Sequence, residues 1–375
     1  MKIVNKKALV VLSQILGNKI FSQMYRHALS EIKDVDFVYL DITDEDYIRF
    51  PRPMWLRFSS TWETVYVAKK KLQEDIREFD KFDLVIINGF EFVNALIFLF
   101  KECPFILILD TTPVLAQEMI LKSSNGFLQR LRSRLLPFLS KFLYRRLFNR
   151  VAFFLPVSDW CAQSLIKHFS ISPRKIKTIY PCFDLKVWRR DKDYPQKDKF
   201  QLLFVGNDFM RKGGDFLLTL YSRYLSGSYV LTIVTNDKDM RKKDLPEGVV
   251  LRCEIPHDQM PIFFQQTDLF VFPTKRDQLA LVLAEALACG LPVMARDVGG
   301  ISNIVKDRKN GFLMPYDSTE EDWAQKINYL HENRSILKRF GDNSRKIAEE
   351  KFDRENFTRT VRTEVEKFLV KDNKS

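Results

Sequence analysis

The chain has 375 residues, 46% of them apolar, with 60 Lys and Arg against 48 Asp and Glu, a formal net charge of +12. That length exceeds what one hydrophobic core usually organises, so two domains are expected. The five cysteines (Cys103, Cys161, Cys182, Cys253, Cys289) form no C-x-x-C pair, which argues against a disulfide framework or zinc site and fits a reducing cytosol. No apolar run approaches the roughly 18 residues of a membrane span. The positive charge points to an anionic partner without choosing among nucleic acid, membrane and nucleotide.

In chain order, the opening MKIVNKKALVVLSQIL reads as a first strand and not a signal peptide, because its apolar run is short and lacks a small-residue cleavage site. Strands are predicted over Ala8–Leu12, Phe37–Leu40, Leu84–Asn88, Phe105–Leu109 and Phe153–Val157, separated by helical patterns or long connections. Alternation of this kind implies right-handed crossovers and a parallel sheet. Two strand ends carry polar loops, Asn88-Gly89 and Asp110-Thr111-Thr112-Pro113. From Lys122 to Arg150 the chain is basic and acid-free, with Lys122, Arg130, Arg132, Arg134, Lys141, Arg145, Arg146 and Arg150 interleaved with Phe and Leu. Such a surface suits docking on anionic lipid, although its apolar residues equally suit packing on the first sheet.

The charged segment 186–199 reads as a linker between a domain over 1–185 and a second over 200–350. The pattern then restarts with strands at Gln201–Val205, Tyr229–Val234, Val249–Arg252, Leu269–Phe272 and Pro292–Ala295. Ser318-Thr319-Glu320-Glu321 has the form of a capping box. The last stretch, 351–375, is expected to be a helix packing back toward the N-terminal domain, followed by a charged tail. The fold class is α/β, with two doubly wound parallel-sheet domains facing a cleft.

Two stretches carry the chemistry. Val205 to Asp215 reads VGNDFMRKGGD: strand, Gly206, loop, the cations Arg211 and Lys212, glycines, helix. Backbone N–H groups and paired cations in that order are how a diphosphate is held. The plain alternative is a surface turn with solvated cations. Phe270 to Gly300 reads FVFPTKRDQLALVLAEALACGLPVMARDVGG, with Asp277 in the loop after a strand, Glu285 on an Ala/Leu-rich helix and a glycine pair beyond the next strand. Two carboxylates there suit a phosphorylated ligand at the strand ends of an α/β fold. Weaker signals are three D-x-D triplets at 44–46, 191–193 and 237–239, read as solvated loops, and four histidines without metal-ligand spacing. Of these His257 can line the cleft, although a helix-start or surface role suits it as well. No G-x-S-x-G offers a serine-hydrolase nucleophile.

Together these stretches resemble the signature of the retaining family 4 (group 1) glycosyltransferases, which have the two-domain GT-B fold. VGNDFMRKG is similar to one branch's V-G-S-D-F-x-R-K-G, and Asp277 and Glu285 keep the family's acid–seven–acid spacing. The resemblance covers most of 153–357. It implies that Arg211 and Lys212 bind the donor diphosphate, that Asp277 contacts the donor sugar, and that Glu285 binds the ribose hydroxyls. The donor site so implied comprises Gly206, Asn207, Arg211, Lys212, Asp277, Gln278, Leu279, Ala280, Leu281, Glu285 and, from the N-terminal loop, Gly17. Asp110 stands where members often have a histidine and is carried over as catalytic with Asp277, Arg211 and Lys212. The departures are Asp277-Gln278-Leu279-Ala280-Leu281 for the usual E-G-F-G-L, and Asn303 where Glu is usual. No metal and no cofactor is implied beyond the nucleotide-diphospho-sugar substrate. The acceptor expected is a glycan or a lipid-linked molecule, the location cytoplasmic or peripheral on the inner face of a membrane, with no nucleic-acid partner. The alternative is a non-catalytic GT-B-like subunit that binds a nucleotide or a partner protein.

Overall fold

The computed structural model describes residues 6–14, 18–50, 60–76, 82–97, 99–100, 102–122, 140–190 and 197–369. It divides into two compact units, one of residues 1–181 with 355–375 and the other of 182–354.

The first unit is built on strands β1 (Lys6–Ser13), β2 (Val35–Ile42), β3 (Leu84–Asn88), β4 (Phe105–Leu109) and β5 (Phe153–Pro156), all parallel in the order β2-β1-β3-β4-β5. Every residue of β3 and β4 is buried, as expected of a parallel sheet covered on both faces. In chain order the helices of this unit are α1 (Asn18–Ser30), α2 (Asp44–Arg49), α3 (Ser60–Asp75), α4 (Val93–Leu96), α5 (Pro113–Lys122), α6 (140–149) and α7 (Asp159–Phe169). One sheet face packs Val85, Ile87, Leu107 and Phe154 against Phe148 and Phe169, whose rings are 4.9 Å apart. Each such side chain contributes about 1.5–3 kcal/mol on burial. Helix α7 starts where Ser158 Oγ accepts from Cys161 N–H at 3.1 Å and stops at Ser170, in the left-handed region with φ +59°.

The second unit's strands are β6 (Phe200–Val205), β7 (Tyr229–Val234), β8 (Val249–Arg252), β9 (Leu269–Phe272), β10 (Val293–Arg296) and β11 (Gly311–Met314), parallel in the order β11-β10-β9-β6-β7-β8. Its helices are α8 (Gly214–Leu220), α9 (Met260–Gln265), α10 (Leu281–Ala288), α11 (Glu320–Glu332) and α12 (Arg334–Lys351). Helix α13 (Arg354–Leu369) follows and belongs almost wholly to the first unit, where Phe357 meets Tyr25 at 5.3 Å and Phe368 meets Phe153 at 6.0 Å between ring centroids.

Three details differ from the sequence reading. Strand β11 was not predicted. The capping box is Thr319 with Asp322, one residue later than read, because the Ser318 hydroxyl instead donates to the Pro315 carbonyl and accepts from the Trp323 indole at 3.2 Å. Residues 186–190, read as the start of a linker, pack within the second unit. Trp188 is buried among the rings of Phe183, His257 and Phe264, and Arg345 donates to the carbonyls of Leu185, Trp188 and Ala288 at 2.6–3.0 Å.

Candidate active site

In the second sheet the strand order reverses between β6 and β9. Ligands of open α/β sheets bind at the carboxyl ends of the strands beside such a reversal. Both stretches singled out in the sequence leave the sheet there: Gly206 follows β6, and Pro273 follows β9.

The loop after β6 is pressed onto the end of β9. Gly213 has φ +83°, and a side-chain carbon at that position would meet the Pro273 carbonyl oxygen at 2.1 Å, so the turn requires glycine. Lys275 N–H donates to Arg211 O at 2.9 Å, and the Arg211 guanidinium donates to Arg276 O at 2.8 Å and to Asp208 at 2.5 Å. Burial acts to raise Asp208, but the hydrogen bonds and charge of Arg211 outweigh it and hold that carboxyl below its ordinary pKa. Asn207 Oδ1 accepts from Asn236 N–H at 3.1 Å, fixing the other side of the turn.

The Lys212 ammonium reaches across to the Asp277 carboxylate, with the Phe272 ring 5.3 Å below its Nζ. Both partners are largely out of solvent, their side chains 16% and 8% exposed. Two further contacts fix Asp277 from the side of β10. Gly299 has φ +56°, and a side-chain carbon there would meet Asp277 O at 1.9 Å, while Gly300 N–H donates to Gln278 O at 2.6 Å. Leu279 and Ala280 are buried, and Leu281 opens α10.

One turn along α10, Glu285 is buried, and its Oε1 lies 2.9 Å from His257 Nε2. That hydrogen bond raises the His257 pKa, burial opposing it, and the charge of Glu285 adds to the rise. The Trp188 ring packs against the imidazole at 5.3 Å. Sequence reasoning offered His257 a place in the cleft, at a helix start or on the surface, and missed this partnership. The residues are 28 apart and no spacing rule connects them.

The second unit therefore brings Arg211, Lys212, Asp277, Gln278 and Gly299 together, with Glu285 on the adjoining helix. Asp110 follows β4 in the first unit, partly buried, and Gly17 lies outside the described residues. Two of the D-x-D triplets have structural roles rather than lying in open loops. Asp46 closes the capping box of α2 and pairs with Lys71 at 3.0 Å, and Asp237 accepts from Asp239 N–H. The third lies outside the described residues, as does 123–139 of the basic segment. In the described remainder of that segment Tyr144 and Phe148 are core, while Phe142 and Leu143 are 60% and 59% exposed beside Arg145, Arg146 and Arg150. No helix among the described residues is long and apolar enough to cross a membrane.

Comparison with known proteins bears on both units. Residues 188–347 match the family model described as glycosyl transferases group 1, and residues 23–187 match that described as glycosyltransferase family 4. A D-inositol 3-phosphate glycosyltransferase of Catenulispora acidiphila is 30% identical over 178 residues, 41% of this chain and 43% of that protein. A 41.2 kDa protein of the cps region of Klebsiella pneumoniae is 25% identical over 185 residues, 46% of this chain and 52% of that one. The chain thus spans about half the length of these curated relatives. Among solved structures, the sucrose-phosphate synthase of Thermosynechococcus elongatus superposes with a TM-score of 0.74 at 15% identity, over 97% of this chain and 99% of that one. HepE of Anabaena, in complex with UDP-glucose, gives 0.66 at 16% identity, over 96% and 99%. These structures establish the GT-B fold.

Proposed function

Since this chain belongs to the group 1 (family 4) glycosyltransferases, we propose that it is a retaining, metal-independent transferase moving a sugar from a nucleotide-diphospho-sugar to a glycan or lipid-linked acceptor. The observation that carries the reading is the convergence of Arg211, Lys212 and Asp277 at the reversal of the second sheet, locked by Gly213 and Gly299. As the bond from the sugar to the diphosphate breaks, negative charge grows on the leaving phosphate oxygen. Cations fixed beforehand stabilise that charge without reorganising, and Arg211 and Lys212 are held in this way. Asp277 faces the donor sugar's hydroxyls. Glu285 takes the ribose hydroxyls, with His257 holding one carboxylate oxygen and so orienting the other. HepE, whose structure holds UDP-glucose, supports a nucleotide-sugar as the donor.

The experiment is a thermal-shift screen of UDP, GDP, ADP and their sugars, followed by donor hydrolysis and transfer with the purified protein. A ligand at about 100 times its Kd stabilises by roughly 2.7 kcal/mol, which such a screen resolves. The anomeric configuration of the transferred sugar tests retention, and turnover in excess chelator tests metal independence. Binding without hydrolysis or transfer would favour a non-catalytic nucleotide-binding subunit, a reading motivated by Gln278 and Ala280 in place of glycines.

We also place the protein at the inner face of an anionic membrane, docked through 122–150. The support is the exposed Phe142 and Leu143 beside Arg145, Arg146 and Arg150. Sedimentation with anionic liposomes at rising salt tests this, and a protein left in the supernatant at low salt refutes it.

A further inference from the structure

The first sheet has a reversal of its own, between β1 and β3. The chain leaving β3 there carries a group that no motif singled out. Gly89, with φ +110°, turns the backbone, its N–H donating to Ile108 O at 2.9 Å. Glu91 folds back over the strand end, so that a side-chain carbon at position 89 would lie 3.0 Å from Glu91 Oε2.

On the neighbouring strand Asn88 is in register with Ile108. Two residues past Ile108, just beyond the end of β4, stands Asp110, whose charge acts on Glu91. Asn88 is only 7% exposed, and its side-chain Nδ2 is buried with no hydrogen-bond partner among the described residues. Buried amides are ordinarily partnered, so an unpartnered one at the strand end that leads into Gly89 and Glu91 points to a ligand group missing from the site. Burial pushes the Glu91 carboxyl up to about 7, and the charge of Asp110 adds to the rise. Yet Glu91 keeps part of its surface in solvent. The other titratable groups on which its charge acts are Tyr144 and Tyr47. No cation among the described residues contributes to its shift.

We propose that Glu91, Asp110 and Asn88 form an acceptor-side subsite that recognises uncharged sugar hydroxyls and turns away acidic acceptors. The inference rests on reading the protein as a glycosyltransferase. A carboxylate accepts only, an amide nitrogen donates only, and a protonated carboxyl does both. A hydroxyl pair, each member both donor and acceptor, satisfies that mixed set. A phosphate or carboxylate meets one or two like charges where burial has already raised a carboxyl pKa, which costs it affinity.

The test is saturation-transfer NMR at neutral pH with methyl glucoside and methyl galactoside, compared with methyl glucuronide as the acidic probe. UDP affinity is measured in parallel. The unmodified protein should bind the neutral glycosides at least about tenfold more tightly than the glucuronide, the scale of one hydrogen bond to a charged group. Glu91→Gln, which keeps a donor and an acceptor but no charge, should retain the neutral glycosides and narrow the discrimination against the glucuronide. Glu91→Ala should lose the neutral glycosides about tenfold with UDP affinity unchanged. The proposal is overturned if no neutral glycoside binds, if the glucuronide binds as well as the neutral probes, or if Glu91→Gln leaves discrimination untouched. Glycoside binding without any UDP binding would instead refute the transferase reading while leaving the subsite in place.

Discussion

Replacing Lys212 with Met tests the candidate site at its most enclosed polar contact. The lysine and Asp277 are paired with their side chains 16% and 8% exposed. Removing one member of such a pair leaves the other charge buried and uncompensated, which costs about 3–5 kcal/mol. Lys212→Met should therefore lower the midpoint of chemical denaturation by an amount in that range. Asp277→Asn should cost less, because the remaining ammonium keeps the Phe272 ring and retains part of its solvent contact. The double variant should be more stable than the sum of the two losses implies, with a coupling of about 0.5–3 kcal/mol. Ligand binding supplies a second, independent readout. A charge-assisted hydrogen bond to phosphate is worth about 1.5–3 kcal/mol, so UDP affinity measured by calorimetry should fall roughly ten- to a hundredfold in Lys212→Met. Affinity for uridine, which has no phosphate, should hold. In Asp277→Asn the lysine is released to the ligand, and UDP affinity should hold or rise. An unchanged denaturation midpoint together with an unchanged UDP-to-uridine ratio in Lys212→Met would refute both the pairing and the phosphate role.

Further expectations follow from neighbouring contacts. Arg211→Ala should weaken UDP binding by a similar factor with a smaller loss of stability, because its side chain is 32% exposed. Glu285→Gln should reduce affinity for uridine as well as UDP, whereas a residue that merely fills the core would change stability alone. The His257 pKa is raised on folding, so the His257–Glu285 pair stabilises fully below the free-histidine value of about 6.5 and loses that contribution as pH rises through the folded value. The stability gap between the unmodified protein and His257→Asn should therefore be wider near pH 6 than near pH 8. Gly299→Ala should displace the Asp277 backbone, since the added carbon meets its carbonyl oxygen at 1.9 Å. Transfer activity should fall far more than UDP affinity.

The parts of the fold legible in the sequence were those with uninterrupted local signals. Strands β3 and β4 were read to the residue, because four and five consecutive buried apolar residues, respectively, run directly into polar turns. Strand β11 was missed because a glycine opens it and only Phe312, Leu313 and Met314 remain to signal it. At the candidate site, Arg211, Lys212, Asp277 and Glu285 each stood out within a short motif. What they touch did not, since Lys212 and Asp277 are 65 residues apart and sheet order alone joins their loops. Glu91 gave no sequence signal at all. Its setting depends on the backbone of Gly89 and on a neighbour supplied by the next strand.

The chain passes between its two units twice, after Pro181 and again after Arg354. Phe183 and Asp353 form a parallel bridge, and Phe183 N–H donates to Phe352 O at 2.8 Å, so the outgoing and returning segments run side by side. This bears on how the molecule is made. Helix α13 buries Phe357 against Tyr25, and that contact cannot form until the whole of 182–354 has been translated. During synthesis the earlier unit emerges from the ribosome with a seam along α1 still open, and the later unit can mature before it. A released chain ending at residue 354 should then be cut by protease in the first unit and resist it in the second.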